Sequence, residues 1–163
     1  MNEKQEKIIS QYRAYIAGLM DTNATMTVQV HPDDDYTLGY GLPVVVRVTR
    51  QWPFSLQAIQ SYCREMSYQC KVVEYNGGYQ FRMERRMYVK DFIRDIKPFL
   101  RDRIEEAELL LKIIEDIDDG KHKTHQGFIS IVGDIEDLRS MHSGGREAKY
   151  TVEYFENEWS EEL

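Results

Sequence analysis

From Glu6 to Leu19 the apolar residues Ile8, Ile9, Tyr12, Tyr15, Ile16 and Leu19 recur at helical spacing, which predicts an amphipathic helix ending near Asp21. The pattern then switches to alternation. TMTVQV (Thr25 to Val30) and LPVVVRVTR (Leu42 to Arg50) read as two strands of a long hairpin, separated by the polar, Gly-containing stretch HPDDDYTLGYG. Pro53 suits the start of a helix, PFSLQAIQSYCREM, with Phe54, Ile59, Tyr62, Cys63 and Met66 as its apolar side. QCKVVEY and YQFRMER form a second hairpin around Asn76-Gly77-Gly78, which tolerates the positive φ of a tight turn. Beyond Arg86 the pattern is helical: MYVKDFIRDIKPFL, ended or kinked at Pro98; then IEEAELLLKIIEDI; then, after a break at Gly120 and HKTHQG, GFISIVGDIEDLRSM. HSGG reads as a loop, and the tail from Arg146 as a helix with Tyr150, Tyr154, Phe155 and Trp159 partly on one side. The order is α-β-β-α-β-β-α followed by further helices, an α+β chain without internal repeat.

Length and charge narrow this picture. A chain of 163 residues is long enough for one core and too short for two ordinary domains. No apolar run approaches the roughly 20 residues of a membrane span, so no membrane partner is expected. The start, MNEKQEKIIS, lacks the apolar core of a signal peptide, and a cytoplasmic, intracellular location is expected. Cys63 and Cys70 make no disulfide framework and read as free thiols. The net charge of −7 argues against binding a polyanion, yet its distribution softens the objection: six Glu and one Lys lie between Glu147 and Leu163, which leaves the body close to neutral. Residues 1–145 are therefore expected to form the main domain and 146–163 an acidic C-terminal helix or tail, either packed or available to a protein partner.

Few local patterns carry chemistry. Ala17 and Gly18 are small residues that allow two helices to approach closely, although any core helix can contain such a pair. Asp21 sits where it can bond backbone groups at a helix end. His122 and His125 lack further ligands for a metal, and neither a phosphate-binding glycine loop nor a hydrolase serine elbow occurs, so no cofactor is expected.

YIAGLMDTNATM, Tyr15 to Met26, resembles the LAGLIDADG motif of homing endonucleases, and the α-β-β-α-β-β-α order after it is that family's half-site fold. VRVTR at the end of a hairpin strand and KPFLRDRIEEAELLLKIIEDI, Lys97 to Ile117, resemble the single-motif type at matching spacing, so the likeness spans roughly residues 8 to 118. The resemblance implies a LAGLIDADG homing-endonuclease-like αββαββα fold with additional C-terminal helices, and a homodimer built on the motif helix, with Ala17, Gly18 and Asp21 at its interface. It also implies divalent metals held by the motif's final acid. Here that position is Asn23, a neutral amide, and Thr22 and Ala24 stand where glycines are usual. Arg50 resembles the position of the family's solvent-organising polar residue, and Arg103 that of its catalytic-pocket lysine. Cleavage is not expected, and no catalytic residue or metal ligand is assigned.

In this family the outer face of the sheet lies in the DNA major groove. Alternation points Met26, Val28, Val30, Val44, Val46, Val48, Tyr79, Phe81 and Met83 to the core, and Thr25, Thr27, Gln29, His31, Val45, Arg47, Thr49, Lys71, Val73, Tyr75, Gln80, Arg82 and Glu84 outward. Gln29, Arg47, Arg50, Lys71, Arg82 and Arg103 are the expected contacts to double-stranded DNA. Asp33-Asp34-Asp35 in the first hairpin opposes this by repelling phosphate, and a solvated sheet face is polar in any case. Three functions remain open, in this order: a catalytically inactive DNA-binding regulator of transcription or another DNA-associated process, a protein-interaction module that no longer binds DNA, and an endonuclease with a relocated metal site.

Overall fold

Asn2 starts the first helix by a reciprocal cap: its side chain accepts the Gln5 backbone N–H at 3.0 Å, and Gln5 Oε1 accepts the Asn2 N–H at 3.2 Å. The computed structural model describes residues 1–142 and 147–163, so all of the expected HSGG loop except His142, and the expected boundary at 145/146, lie outside the described residues. Helix α1 spans Glu3–Asn23 and passes into strand β1, Ala24–Val28, without a loop, because Ala24 already has extended angles (φ −79°, ψ 148°). A short ribbon, β2 (His31–Pro32) and β3 (Tyr40–Gly41), follows. Then come β4 (Val44–Arg50), α2 (Phe54–Glu65), β5 (Lys71–Tyr75), β6 (Gly78–Met83), α3 (Arg86–Ile96), α4 (Ile104–Asp118), α5 (His125–Ser140) and α6 (Val152–Glu158).

The sheet order is β1-β4-β6-β5, all antiparallel, so the two hairpins meet along β4 and β6. Asn76 (φ 47°) and Gly77 (φ 77°) close the second hairpin in the left-handed region, as the turn sequence predicts. One face of the sheet is covered by helices. Met26, Val46, Val48, Phe81 and Met83 are buried there against Ile16 and Met20 of α1, Leu56 and Ile59 of α2, Phe92 and Ile93 of α3, and Leu110 and Ile114 of α4. Arg13 Nε donates to the Tyr62 hydroxyl (2.9 Å), Tyr62 and Tyr68 donate to Asp95 (2.7 and 2.8 Å), and Arg13 pairs with Asp95 at 3.0 Å, a network that ties α1 to α2 and α3. Pro98 ends α3 in a 3₁₀ turn, Lys97–Phe99.

Several positions depart from the expected burial. Phe54 is 74% exposed while Leu56 is buried, because the core face of α2 runs through Leu56, Ile59, Tyr62 and Cys63, and Phe54 lies outside that arc in the first turn. Val30 and Tyr79, both expected in the core, are half-buried. Val45 and Gln80 point outward yet are covered. Gln80 donates to Thr49 Oγ1 at 3.0 Å and accepts from Arg82 Nε, so longer neighbours close over it on a central strand. Val45 is a short side chain on the other central strand.

The acidic C-terminal segment packs as a helix. Thr151 caps α6 by accepting the Tyr154 N–H at 3.1 Å. Phe155 is wholly buried, its ring 4.9 Å from that of Tyr40 and 5.1 Å from that of Phe128, and Trp159 lies 4.7 Å from Phe155. Aromatic burial, with the glutamates turned to solvent, decides between a packed helix and a free tail. Phe155→Ala is expected to destabilise the protein by about 3–5 kcal/mol through the cavity it leaves; an unchanged denaturant midpoint would show that α6 is not part of the core.

Candidate nucleic-acid interface

The outer face of the sheet carries a row of basic residues set by strand register. Thr25 faces Arg47, Arg47 faces Arg82, and Arg82 faces Lys71, so one line crosses all four strands. With strands about 4.8 Å apart, the three cations span about 10 Å. Arg82 is held by its bond to Gln80 and lies 5.6 Å from the centre of the Tyr75 ring; Lys71 pairs with Glu84 at 3.0 Å. The Arg47 Nε is buried with no hydrogen-bond partner, although a buried donor ordinarily has one.

At the end of α1 the sequence-predicted residues separate into two roles. Asp21 turns into its own chain: its carboxylate accepts the backbone N–H groups of Arg101 (3.0 Å), Asp102 (3.1 Å) and Arg103 (3.2 Å), just before α4. Arg103 Nε donates to the Asp21 carbonyl at 3.2 Å, and its guanidinium pairs with Glu106 at 3.1 Å. Asn23 lines two surface depressions instead. Its side-chain oxygen accepts from Thr22 Oγ1 at 2.8 Å and from Arg50 Nη1 at 2.9 Å.

A polar cleft of about 870 Å³ opens beside Asn23. Thr25, Thr27, Gln29, Arg47, Thr49 and Arg103 line it, together with Arg139 and His142 from the end of α5. His142 Nε2 lies 2.9 Å from the Met26 carbonyl oxygen, which fixes this end of α5 beside β1. Sequence reading missed Arg139 and His142: no local pattern marks them, and only the return of α5 onto β1 brings them in. Of the expected contacts, Gln29, Arg47 and Arg103 share this cleft. Arg50 opens onto a neighbouring depression with Tyr15, Trp52 and Phe54, and Lys71 and Arg82 lie further along the sheet.

The helix face expected at an interface divides. Ala17 is wholly buried in its own core and is not available to a second chain, whereas a Cβ on Gly18 meets nothing within 4 Å. Ile8, Tyr12 and Tyr15 are 45%, 41% and 50% exposed on α1, and Trp52 and Phe54 add further exposed apolar surface next to Tyr15.

No family model matches the sequence, and no curated protein matches it. Solved structures match closely in shape. The homing endonuclease I-CvuI in complex with its target superposes with a TM-score of 0.80 at 19% identity, covering 95% of this chain and 96% of that one. The archaeal intron-encoded homing endonuclease I-Vdi141I complexed with DNA gives 0.75 at 16%, covering 97% and 99%. The LAGLIDADG homing endonuclease I-SmaMI bound to cleaved DNA gives 0.69 at 15%, covering 93% of this chain but 48% of that one. The protein therefore has the LAGLIDADG homing-endonuclease fold, and it matches a whole chain of two of these nucleases and about half of the third.

A divalent metal implied by that fold does not suit these residues. Asn23 offers a neutral oxygen already bonded to a guanidinium, Asp21 is occupied by three amides, and no group of three His, Cys, Asp or Glu side chains converges among the described residues. Like unit charges 4 Å apart repel by about 1 kcal/mol in water and about 4 kcal/mol near a protein surface, and a dication doubles this, so Arg50 opposes such an ion. The amide contacts give Asp21 a structural role. Asp21→Ala should cost about 1–3 kcal/mol by stranding backbone donors, and Asp21→Asn less, read from urea unfolding; equal stability of Asp21→Ala and the natural protein would refute it.

Proposed function

We propose that the protein is a homodimeric, duplex-DNA-binding protein that does not cleave its target, acting as a regulator of transcription or another DNA-associated process by occupying a site. The observation that carries this reading is the pairing of Asn23 with Arg50 at the motif's acid position, beside the basic row of Arg47, Arg82 and Lys71. Basic and amide side chains on a sheet face match the acceptors of base edges and phosphates. The dimer reading is supported by Ile8, Tyr12, Tyr15, Leu19 and Thr22, which follow one another on α1 at alternating four- and three-residue steps, the seam a second helix packs against. Gly18 beside that seam leaves room for a close approach, and one motif per chain favours an isologous pair.

Selection of bound duplexes from a random pool, with a cleavage readout on the same pool, tests the whole reading. Enrichment without cutting in Mg²⁺ or Mn²⁺ is expected; specific cutting would replace it with an active nuclease, and no retention at low salt with a protein-interaction module. On a selected duplex, Arg47→Ala and Arg82→Ala should each cost about 1–3 kcal/mol where they read bases, and less where they touch phosphate only.

For the dimer, Tyr15→Glu and Gly18→Trp are expected to give folded monomers in light scattering at micromolar concentration. A natural protein that is itself monomeric there removes the dimer.

A further inference from the structure

We propose that Cys63 and Cys70 form an oxidisable dithiol, in which Cys70 reacts with a hydroperoxide and Cys63 then closes an intramolecular disulfide. The inference does not rest on the DNA-binding reading above.

These are the two cysteines of the chain, both free thiols, with Cys63 wholly buried and Cys70 half-buried. They stand seven positions apart, and the turn between them is what makes them meet. Cys63 lies in the last turn of α2, which ends in a Schellman cap. The Ser67 N–H donates to the Arg64 carbonyl at 3.1 Å and the Tyr68 N–H to the Cys63 carbonyl at 2.7 Å, with Ser67 in the left-handed region (φ 60°). The chain doubles back there and enters β5 directly after Cys70. The Tyr68 hydroxyl on Asp95, at 2.8 Å, ties the turn to α3. The two sulfurs therefore face each other, close enough that each is the leading influence on the other's ionisation. The Cys63 thiol is pushed up, because it donates to Cys70 and is buried. The Cys70 thiol is pushed down by accepting that bond, against its own partial burial, and the Arg64 guanidinium adds to the shift.

Oxidation of a cysteine follows thiolate character and access, and Cys70 has both. It opens onto a surface depression of about 190 Å³ beside Lys71, Arg82 and Arg85, in which the carboxylate of Glu84 is paired with Lys71 at 3.0 Å. A hydroperoxide is small enough to enter, and the positive surround favours the thiolate. In the first step the Cys70 thiolate attacks the peroxide: an S–O bond forms, the O–O bond breaks, and the leaving oxygen takes up the proton that Cys70 gave up on ionising. Cys70 becomes a sulfenic acid, and water or an alcohol departs. In the second step the Cys63 sulfur attacks the Cys70 sulfur: the S–S bond forms, the S–O bond breaks, and hydroxide leaves with the Cys63 proton as water. The two thiols lose two electrons and two protons together, and one peroxide is reduced. Because Cys63 already lies against Cys70, the second step is intramolecular and outruns further oxidation to sulfinic acid.

The test is intact-mass spectrometry of the full chain after a small excess of hydrogen peroxide, with and without later dithiothreitol. The natural protein is expected to lose the mass of two hydrogen atoms and to run as a single chain on a non-reducing gel. Digestion should give one peptide pair linked from Cys63 to Cys70, and dithiothreitol should restore both thiols. In Cys63→Ala the second step is gone, so dimedone should trap a sulfenic acid at Cys70; Cys63→Val, closer in volume, serves the same purpose where the alanine variant does not fold. Cys70→Ala should leave Cys63 unmodified at the same dose. Sulfinic acid at Cys70 of the natural protein without the link overturns the proposal, as does oxidation of Cys63 in Cys70→Ala. So does a folded protein that keeps both thiols at a dose that oxidises the chain in urea.

Discussion

The contact on which the site depends is the Asp21 carboxylate accepting three successive backbone N–H groups from Arg101 to Arg103. These donors lead into a helix, α4, whose N-cap residue, Arg103, supplies no side-chain cap, so the acceptor comes from 80 residues away. An anion in such a nest of amides is stabilised by their dipoles and by the positive end of the helix behind them. One side chain thus fixes the end of α1 against the start of α4. Because α1 runs into β1 with no loop, the same contact sets Asn23, the first residues of the sheet and Arg103 around one cleft.

An acidic chain can present a basic surface because its acid is committed elsewhere. Asp118 pairs with Arg86 and Lys90 at 2.9 Å, and Glu115 with Arg94, holding α3 to α4. Asp116 is bonded by Lys112 and Lys121. Glu153, Glu156 and Glu158 project from a helix whose aromatic side is anchored on Tyr40 and Phe128. Repulsion from exposed charges beyond about 10 Å is largely screened at 0.1 M salt, so the local arrangement of arginines matters more to a bound phosphate than the total of −7.

The periodicity of the chain was enough to locate the elements. The helical spacing of Ile8 to Leu19, the alternation of Thr25 to Val30 and Leu42 to Arg50, and the Asn76-Gly77 turn each depend on neighbours within a few residues, and each gave an element of the predicted type, although β1 stops at Val28, β4 starts only at Val44, and the stretch between them forms the ribbon of β2 and β3. The order of elements and the AGLMD segment likewise pointed to the fold that the structural matches show. Burial was less legible where it depends on covering by non-local side chains. Ala17 is sealed inside while Gly18 beside it is open, Gln80 lies beneath Arg82 on a central strand, and Phe54 falls outside the core arc of α2.

The sequence by itself determined which residue types stand at the motif: a neutral Asn23 in place of an acid, and an Asp21 able to bond backbone. Only the tertiary structure decided what they meet. Arg50 reaches Asn23 from 27 positions away, the amides of residues 101–103 reach Asp21, and Arg139 and His142 arrive at the cleft because α5 folds back onto β1. Local pattern fixes the period and face of an element, whereas the composition of a site is fixed by distant segments that packing brings within a few ångströms.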